Sequence, residues 1–392
     1  TPMNAIVGMT AIARSAAGNK EQVAKMAAAV IRGYQDQGMV VTAKHYPGFG
    51  ASPVDSHIGM VYLEGDGKEL LERELYPYTY CMKHADLSGV MVGHIMAEKV
   101  DPVYPASLSK PLVDLLRGTG YNGLMMTDSF AMIGLTNMFG LKQCHQLAMK
   151  AGIDMVMTSY RIGAREAYGY MMDAYREGMV SEEQITLSAQ RVITAQNRTL
   201  REATQTVITD KERRAVDDMA KFSISATLDG VDSPALDTSK KHLFIVQEGN
   251  IFRDPITGEL RPEICDMSEA VRVLKEKFSN SDFITLPEFP PKFQIEDVLT
   301  LTMEYDSVVM LLMNRNESYM GSADATKRML AVLDGLRPKI SAVVQFGCPY
   351  AAREYGKVKR VIFGYNGERC QQYAALVLAG ELEPKGRLPV SF

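Results

Sequence analysis

No run of apolar residues in this chain of 392 is long enough to span a bilayer, so no membrane-spanning helix is expected. Charge of one sign is not in excess either. Against 43 Lys and Arg stand 47 Asp and Glu, a net charge of -4, and this balance gives no electrostatic reason to expect a nucleic acid or an anionic membrane as partner. Cysteine is sparse. Cys81, Cys144, Cys265, Cys348 and Cys370 are scattered, odd in number and without C-x-x-C spacing. They read as free, mostly buried thiols, as in a reducing compartment or in a secreted chain that uses no disulfides. The loop Gly364 to Gly367 lacks the strand-to-helix G-x-G-x-x-G arrangement of a dinucleotide site. His84, His145 and His242 have no acidic or cysteine partner at ligand spacing. No metal and no cofactor are therefore expected. The chain begins at Thr1 without a signal-peptide pattern, which fixes no compartment.

What is present is an ordinary globular composition, 46% hydrophobic and 23% charged, at a length sufficient for two domains. The 25 methionines recur at apolar positions and read as core filler. Helix and buried strand alternate from the start. A helix is expected over 20–37, with Val23, Met26, Ala27, Val30, Ile31 and Tyr34 at helical spacing and Gly38 as its stop. A strand over 39–43 follows, then a helix over 67–85, a strand over 87–95, a helix over 109–117 and a short strand over 124–127. Next come a helix through Leu147, a strand over 152–158, and helices over 164–177 and from Ser181, whose Glu182 and Glu183 supply a capping signature. Strand, loop, helix repeats imply parallel strands with right-handed crossovers. From 206 to 239 a charged helix and a polar tract read as an interdomain connection. A second α/β alternation follows, with continuous apolar strands at 242–247, 283–286, 307–313, 340–346 and 358–364, as in a sheet covered on both faces.

The chain is organised around Val40 to Gly59, VVTAKHYPGFGASPVDSHIG. Pro47, Gly48 and Gly50 stop the strand at Lys44-His45. A loop rich in functional side chains at the carboxyl end of a buried strand is where barrel and open-sheet enzymes place their chemistry. Asp55 and His57, two apart in an extended segment, point to the same side. A carboxylate beside an imidazole orients the ring and holds a proton near neutral pH, a general acid/base dyad. An isolated D-x-H is more often a turn cap followed by a solvated imidazole; the neighbouring Lys44-His45 is what shifts the reading toward chemistry. Asp128, at the carboxyl end of 124–127, is by itself either a helix N-cap or a catalytic carboxylate. His94 reads as a packing residue beside the site rather than a ligand.

These motifs, in this order, resemble glycoside hydrolase family 3 and within it the β-N-acetylglucosaminidase branch. They are Lys44-His45-Tyr46-Pro47-Gly48 with Gly50, Asp55-Ser56-His57, Gly93-His94-Ile95, Pro105-Ala106-Ser107-Leu108-Ser109, Leu116-Arg117, and Gly120-Tyr121 through Thr127-Asp128 with Met132. Phe346-Gly347, Pro349-Tyr350 and the closing Gly386-Arg387-Leu388-Pro389-Val390 resemble the family's second domain. The resemblance implies an α/β fold, the C-terminal half of a (β/α)8 TIM barrel (strands 5 to 8, residues 1–205) followed by a connection over 206–239 and an α/β sandwich over 240–392.

It implies Asp128 as nucleophile, His57 as acid/base with Asp55 as its partner, and Arg14, Lys44 and His45 as ligands of sugar hydroxyls. Phe49 departs from the pattern, which more often has a histidine there. The implied activity is a retaining exo-β-N-acetylglucosaminidase acting on a carbohydrate. A phosphorylase or β-glucosidase of the same family, or an inactive sugar-binding scaffold, remains an alternative. Only four of eight barrel units are countable, so a second copy or a missing N-terminal segment is expected to complete the barrel.

Overall fold

The computed structural model describes residues 18–49, 54, 59–200, 207–228, 235–249, 251–253, 257–262, 266–314 and 325–388. They divide into two compact units, 18–200 and 207–388.

The first unit opens with α1 (Lys20–Gln35), begun by the Asn19 side chain, which accepts the Gln22 N–H at 2.8 Å. It buries Ala24, Ala28 and Ile31. Then come β1 (Thr42–Tyr46), β2 (Val61–Tyr62), α2 (Gly67–Glu72), α3 (Tyr76–Ala85), β3 (Gly89–Val92), β4 (Ile95–Met96), α4 (Lys110–Arg117) and β5 (Leu124–Thr127). The unit ends with α5 (Ile133–Thr136), α6 (Leu141–Ala151), α7 (Ala164–Arg176) and α8 (Glu182–Thr199). β1, β3 and β5 form one parallel sheet in that order, with Thr42 opposite Gly89 and Gly89 opposite Leu124. All three strands therefore end at the same edge, where His45, Gly93-His94 and Asp128 lie.

Four expectations needed adjustment here. The single strand read over 87–95 is two, because the chain leaves the sheet at Gly93-His94: β3 pairs with β1 and β5, and β4 pairs with β2. The strand read as 39–43 runs instead from Thr42 to Tyr46, so Lys44 and His45 are strand residues. The single helix read over 67–85 is two, because Pro77 has no N–H to donate and its ring opposes a carbonyl four residues back; α2 closes at Arg73 and α3 restarts with the proline in its first turn. The strand read at 152–158 joins the sheet through one bridge, Met126 to Met155, rather than a full ladder.

The second unit comprises α9 (Asp210–Ser223), β6 (Ser225–Leu228), β7 (His242–Glu248), β8 (Ile251–Arg253), β9 (Leu260–Pro262), α10 (Ser268–Lys277) and β10 (Asp282–Pro287). It continues with α11 (Lys292–Leu301), β11 (Ser307–Asn314), α12 (Lys327–Leu336), β12 (Ile340–Gly347), β13 (Arg360–Tyr365) and α13 (Glu368–Leu378). Its sheet has the order β10-β7-β11-β12-β13-β6, parallel except for β6. All eight residues of the central β11 are buried. Successive residues point to opposite faces, so Val308 and Met310 meet α11 and α12 while Val309 and Leu311 meet α10 and α13. The stretch read as a connection thus supplies α9 and an edge strand of this sheet.

Candidate active site

Sequence spacing brings His45 and Asp128 to one sheet edge, and the structure puts them in contact. His45 Nε2 lies 3.4 Å from Asp128 Oδ2, with both side chains largely buried. The β1–β3 register shifts between Lys44 and Tyr46, leaving His45 at an irregularity of the ladder. Such bulges re-aim a side chain. Lys44, on the same stretch, is exposed, and Tyr46 is anchored below by its hydroxyl, which donates to the Leu112 carbonyl at 2.6 Å.

Small residues make room for this arrangement. A Cβ at Gly93 would lie 3.2 Å from the His45 Cβ and 3.0 Å from the Ile95 Cδ1; one at Gly48 would fall 2.8 Å from the Glu74 Cβ. Burial pushes the Glu74 carboxyl above its ordinary range, opposed by its pairing with Arg73. Phe49, the departure from the family pattern, packs on the His45 ring at 5.6 Å between centroids.

Asp128 is held through its backbone. Its N–H donates to the Val92 carbonyl at 2.9 Å, Thr127 donates to Met155 and Phe130 to Met157. Its Oδ1 accepts the Ser129 N–H at 2.8 Å. His94 completes the surround: Nε2 lies 2.9 Å from the Ser129 carbonyl oxygen and Nδ1 2.8 Å from Ser107 Oγ. A carbonyl can only accept, so Nε2 carries the proton and Nδ1 takes the serine hydroxyl. Burial lowers the His94 pKa, opposed by the Ser129 contact and the Asp128 charge. Asp55, His57 and Arg14 lie outside the described residues. No cluster of three or more metal-ligating side chains exists among the described residues.

Sequence reasoning read His94 as a packing residue beside the site and named Ser107 only as part of a motif, without a role for it. It missed Asp154, at the opposite end of β5, whose fully buried carboxylate accepts from Arg117, Arg191, Ser188 and the Met125 N–H. Only the convergence of distant segments reveals these partners.

Residues 9–195 match the model for the glycosyl hydrolase family 3 N terminal domain. The match takes in most of the first unit and 187 of the chain's 392 residues. A beta-hexosaminidase of Tolumonas auensis is 32% identical over 154 residues, 38% of this chain and 46% of the relative. Beta-hexosaminidase LpqI of Mycobacterium tuberculosis is 31% identical over 188 residues, 46% of this chain and 48% of the relative. The chain thus spans about half the length of these relatives.

Among solved structures, a glycoside hydrolase family 3 beta-N-acetylglucosaminidase from Paenibacillus sp. str. FPU-7 superimposes with a TM-score of 0.79 at 24% identity, covering 100% of this chain and 74% of the other. Beta-glucoside phosphorylase BglX bound to 2FGlc gives 0.77 at 22%, covering 100% and 72%. The family 3 fold, barrel segment followed by α/β sandwich, is therefore the fold of this chain.

Proposed function

We propose that the chain is the catalytic part of a retaining exo-β-N-acetylglucosaminidase, with Asp128 as nucleophile. The observation that carries the reading is the Asp128 carboxylate at the carboxyl edge of the parallel sheet, against His45 and beside the exposed Lys44. The family 3 match and relatives named beta-hexosaminidase support it.

In this reading Lys44, His45 and Arg14 hold sugar hydroxyls. An Asp128 oxygen attacks the anomeric carbon as its bond to the departing oxygen breaks, and His57, oriented by Asp55, delivers the proton to that oxygen. His57 then takes a proton from water, whose oxygen displaces the Asp128 carboxylate and leaves the configuration retained. A neutral imidazole does not repel an anionic acceptor, so phosphate competes with water for the second step.

Among the described residues β1 pairs only with β3, and Met26, Val30 and Tyr34 on α1 are exposed. This edge fits further βα units completing the barrel, from a second copy or from additional chain.

The test is release of p-nitrophenol from p-nitrophenyl β-N-acetylglucosaminide with and without phosphate. Turnover in water is expected. Turnover only with phosphate, yielding the sugar 1-phosphate, assigns a phosphorylase. Sugar binding without product, from the folded chain, refutes the catalytic reading.

A further inference from the structure

Of the buried polar groups that the proposed chemistry does not use, His94 is bonded to the carbonyl of Ser129, the residue that follows the reacting carboxylate. Resting on the reading of Asp128 as nucleophile, we propose that His94, braced by Ser107, is a positioning residue that clamps the turn carrying Asp128. The imidazole is 1% exposed and Ser107 is fully buried. A polar side chain withdrawn from water is costly unless its hydrogen bonds are replaced, and here both ring nitrogens are satisfied, one by Ser107 Oγ and the other by the Ser129 carbonyl.

The second bond is the consequential one. It fixes the peptide group joining Ser129 to Phe130 from one side, while the Phe130 N–H, donating to the Met157 carbonyl at 2.9 Å, fixes it from the other. Upstream, the Asp128 N–H is tied to Val92. Asp128 is therefore suspended between two anchors, and His94 is the side-chain part of the second.

The fold supports this role on every side of the ring. His94 follows Gly93, whose N–H donates to the Tyr46 carbonyl at 2.9 Å, so the clamp is registered against the strand bearing His45. Ser107 sits in a short 3₁₀ turn, Ala106–Leu108, all of it buried. The Phe130 ring packs between His94 and His145, with centroids at 5.9 and 5.1 Å. A hydrophobic residue at 94 would fill the space and leave the Ser129 carbonyl without this donor. Displacing a reacting group by about 1 Å costs on the order of 100-fold in rate, so the turn needs the donor more than the core needs another apolar side chain.

The experiment uses the full chain and three variants. His94→Phe keeps the ring shape without a donor, His94→Gln restores an N–H at the Nε2 position and an acceptor for Ser107, and Ser107→Ala removes the brace. With folded fractions matched by circular dichroism, His94→Phe is expected to lower kcat roughly 100-fold with KM changed less than about threefold. His94→Gln should recover most of the loss, and Ser107→Ala should fall between. A His94→Phe rate within twofold of the parent, or His94→Gln as impaired as His94→Phe, overturns the proposal.

Hydrogen exchange at the Phe130 amide gives a readout independent of turnover. It should quicken at least about tenfold in His94→Phe and return in His94→Gln; unchanged exchange overturns the clamp. A parent chain inert toward the glycoside but showing the exchange pattern refutes the nucleophile reading of Asp128, while the clamp stands.

Discussion

Replacing Asp154 by alanine should be among the most destabilising single changes in the first unit. Its carboxylate has no exposure and accepts from Arg117 Nη2, the Met125 N–H and Ser188 Oγ, each at 2.8 Å, and from Arg191 Nη1 at 3.1 Å. Two guanidiniums thus share one buried anion, and Arg117 is itself largely withdrawn from water, its pKa lowered first by burial and then raised by Asp154. Removing one partner of a buried ion pair costs about 3–5 kcal/mol, because the other charge is stranded. For a unit of this size that corresponds to roughly 6–20 °C in Tm.

The contrast is Arg198–Asp86, 3.2 Å apart but with side chains 45% and 78% exposed. Exposed pairs contribute about 0–1 kcal/mol. Asp86→Asn, which also tolerates the left-handed backbone at φ 44°, should therefore be nearly silent. Urea unfolding followed by circular dichroism measures both. An Asp154→Ala cost below about 1 kcal/mol, or equal costs for the two variants, refutes the claim that burial and shared donors make Asp154 the organiser of the amino end of β5.

Two further predictions concern the site. Gly93→Ala places a methyl 3.0 Å from Ile95 Cδ1 and 3.2 Å from the His45 Cβ, so His45 must shift by a few tenths of an ångström; stability should fall by no more than about 1–3 kcal/mol while kcat falls more than tenfold, and an unchanged kcat speaks against a role for the His45–Asp128 contact.

His94 and His145 both have pKa values lowered by burial, so the unfolded chain binds more protons than the folded one below the ordinary histidine range. Stability is then full above about pH 6.5 and declines on acidification at up to about 1.4 kcal/mol per pH unit for each group, until its folded pKa is passed. Unfolding curves between pH 7 and 5 check this, and His145→Gln should flatten the slope; an unaltered slope counts against it.

Much of this architecture could be read from the chain because its signals are local. The apolar runs SVVMLLM and ISAVVQF became β11 and β12, and Ser181 caps α8 by accepting the Gln184 N–H. Features set by tertiary partners were hidden. SATL carries no clear strand pattern, yet it becomes β6 because β13 offers an open edge for antiparallel pairing. Lys44 and His45 looked like residues after a strand, since Pro47 and the glycines mark a stop; the ladder to β3 carries the strand through to Tyr46.

At the candidate site, strand ends and motif order placed Lys44, His45 and Asp128 at one sheet edge, and His45 and Asp128 meet there. The task of His94 was not recognisable, because its partners stand 13 and 35 residues away and only folding brings them together.

The most direct test of the central claim is peptide mapping of the chain after inactivation with a fluorinated N-acetylglucosaminyl fluoride, which forms the glycosyl-enzyme quickly and releases it slowly. A single sugar adduct is expected on the peptide containing Asp128, lost in Asp128→Ala. An adduct on another carboxylate, or none from a chain that still turns over p-nitrophenyl β-N-acetylglucosaminide, would contradict the claim.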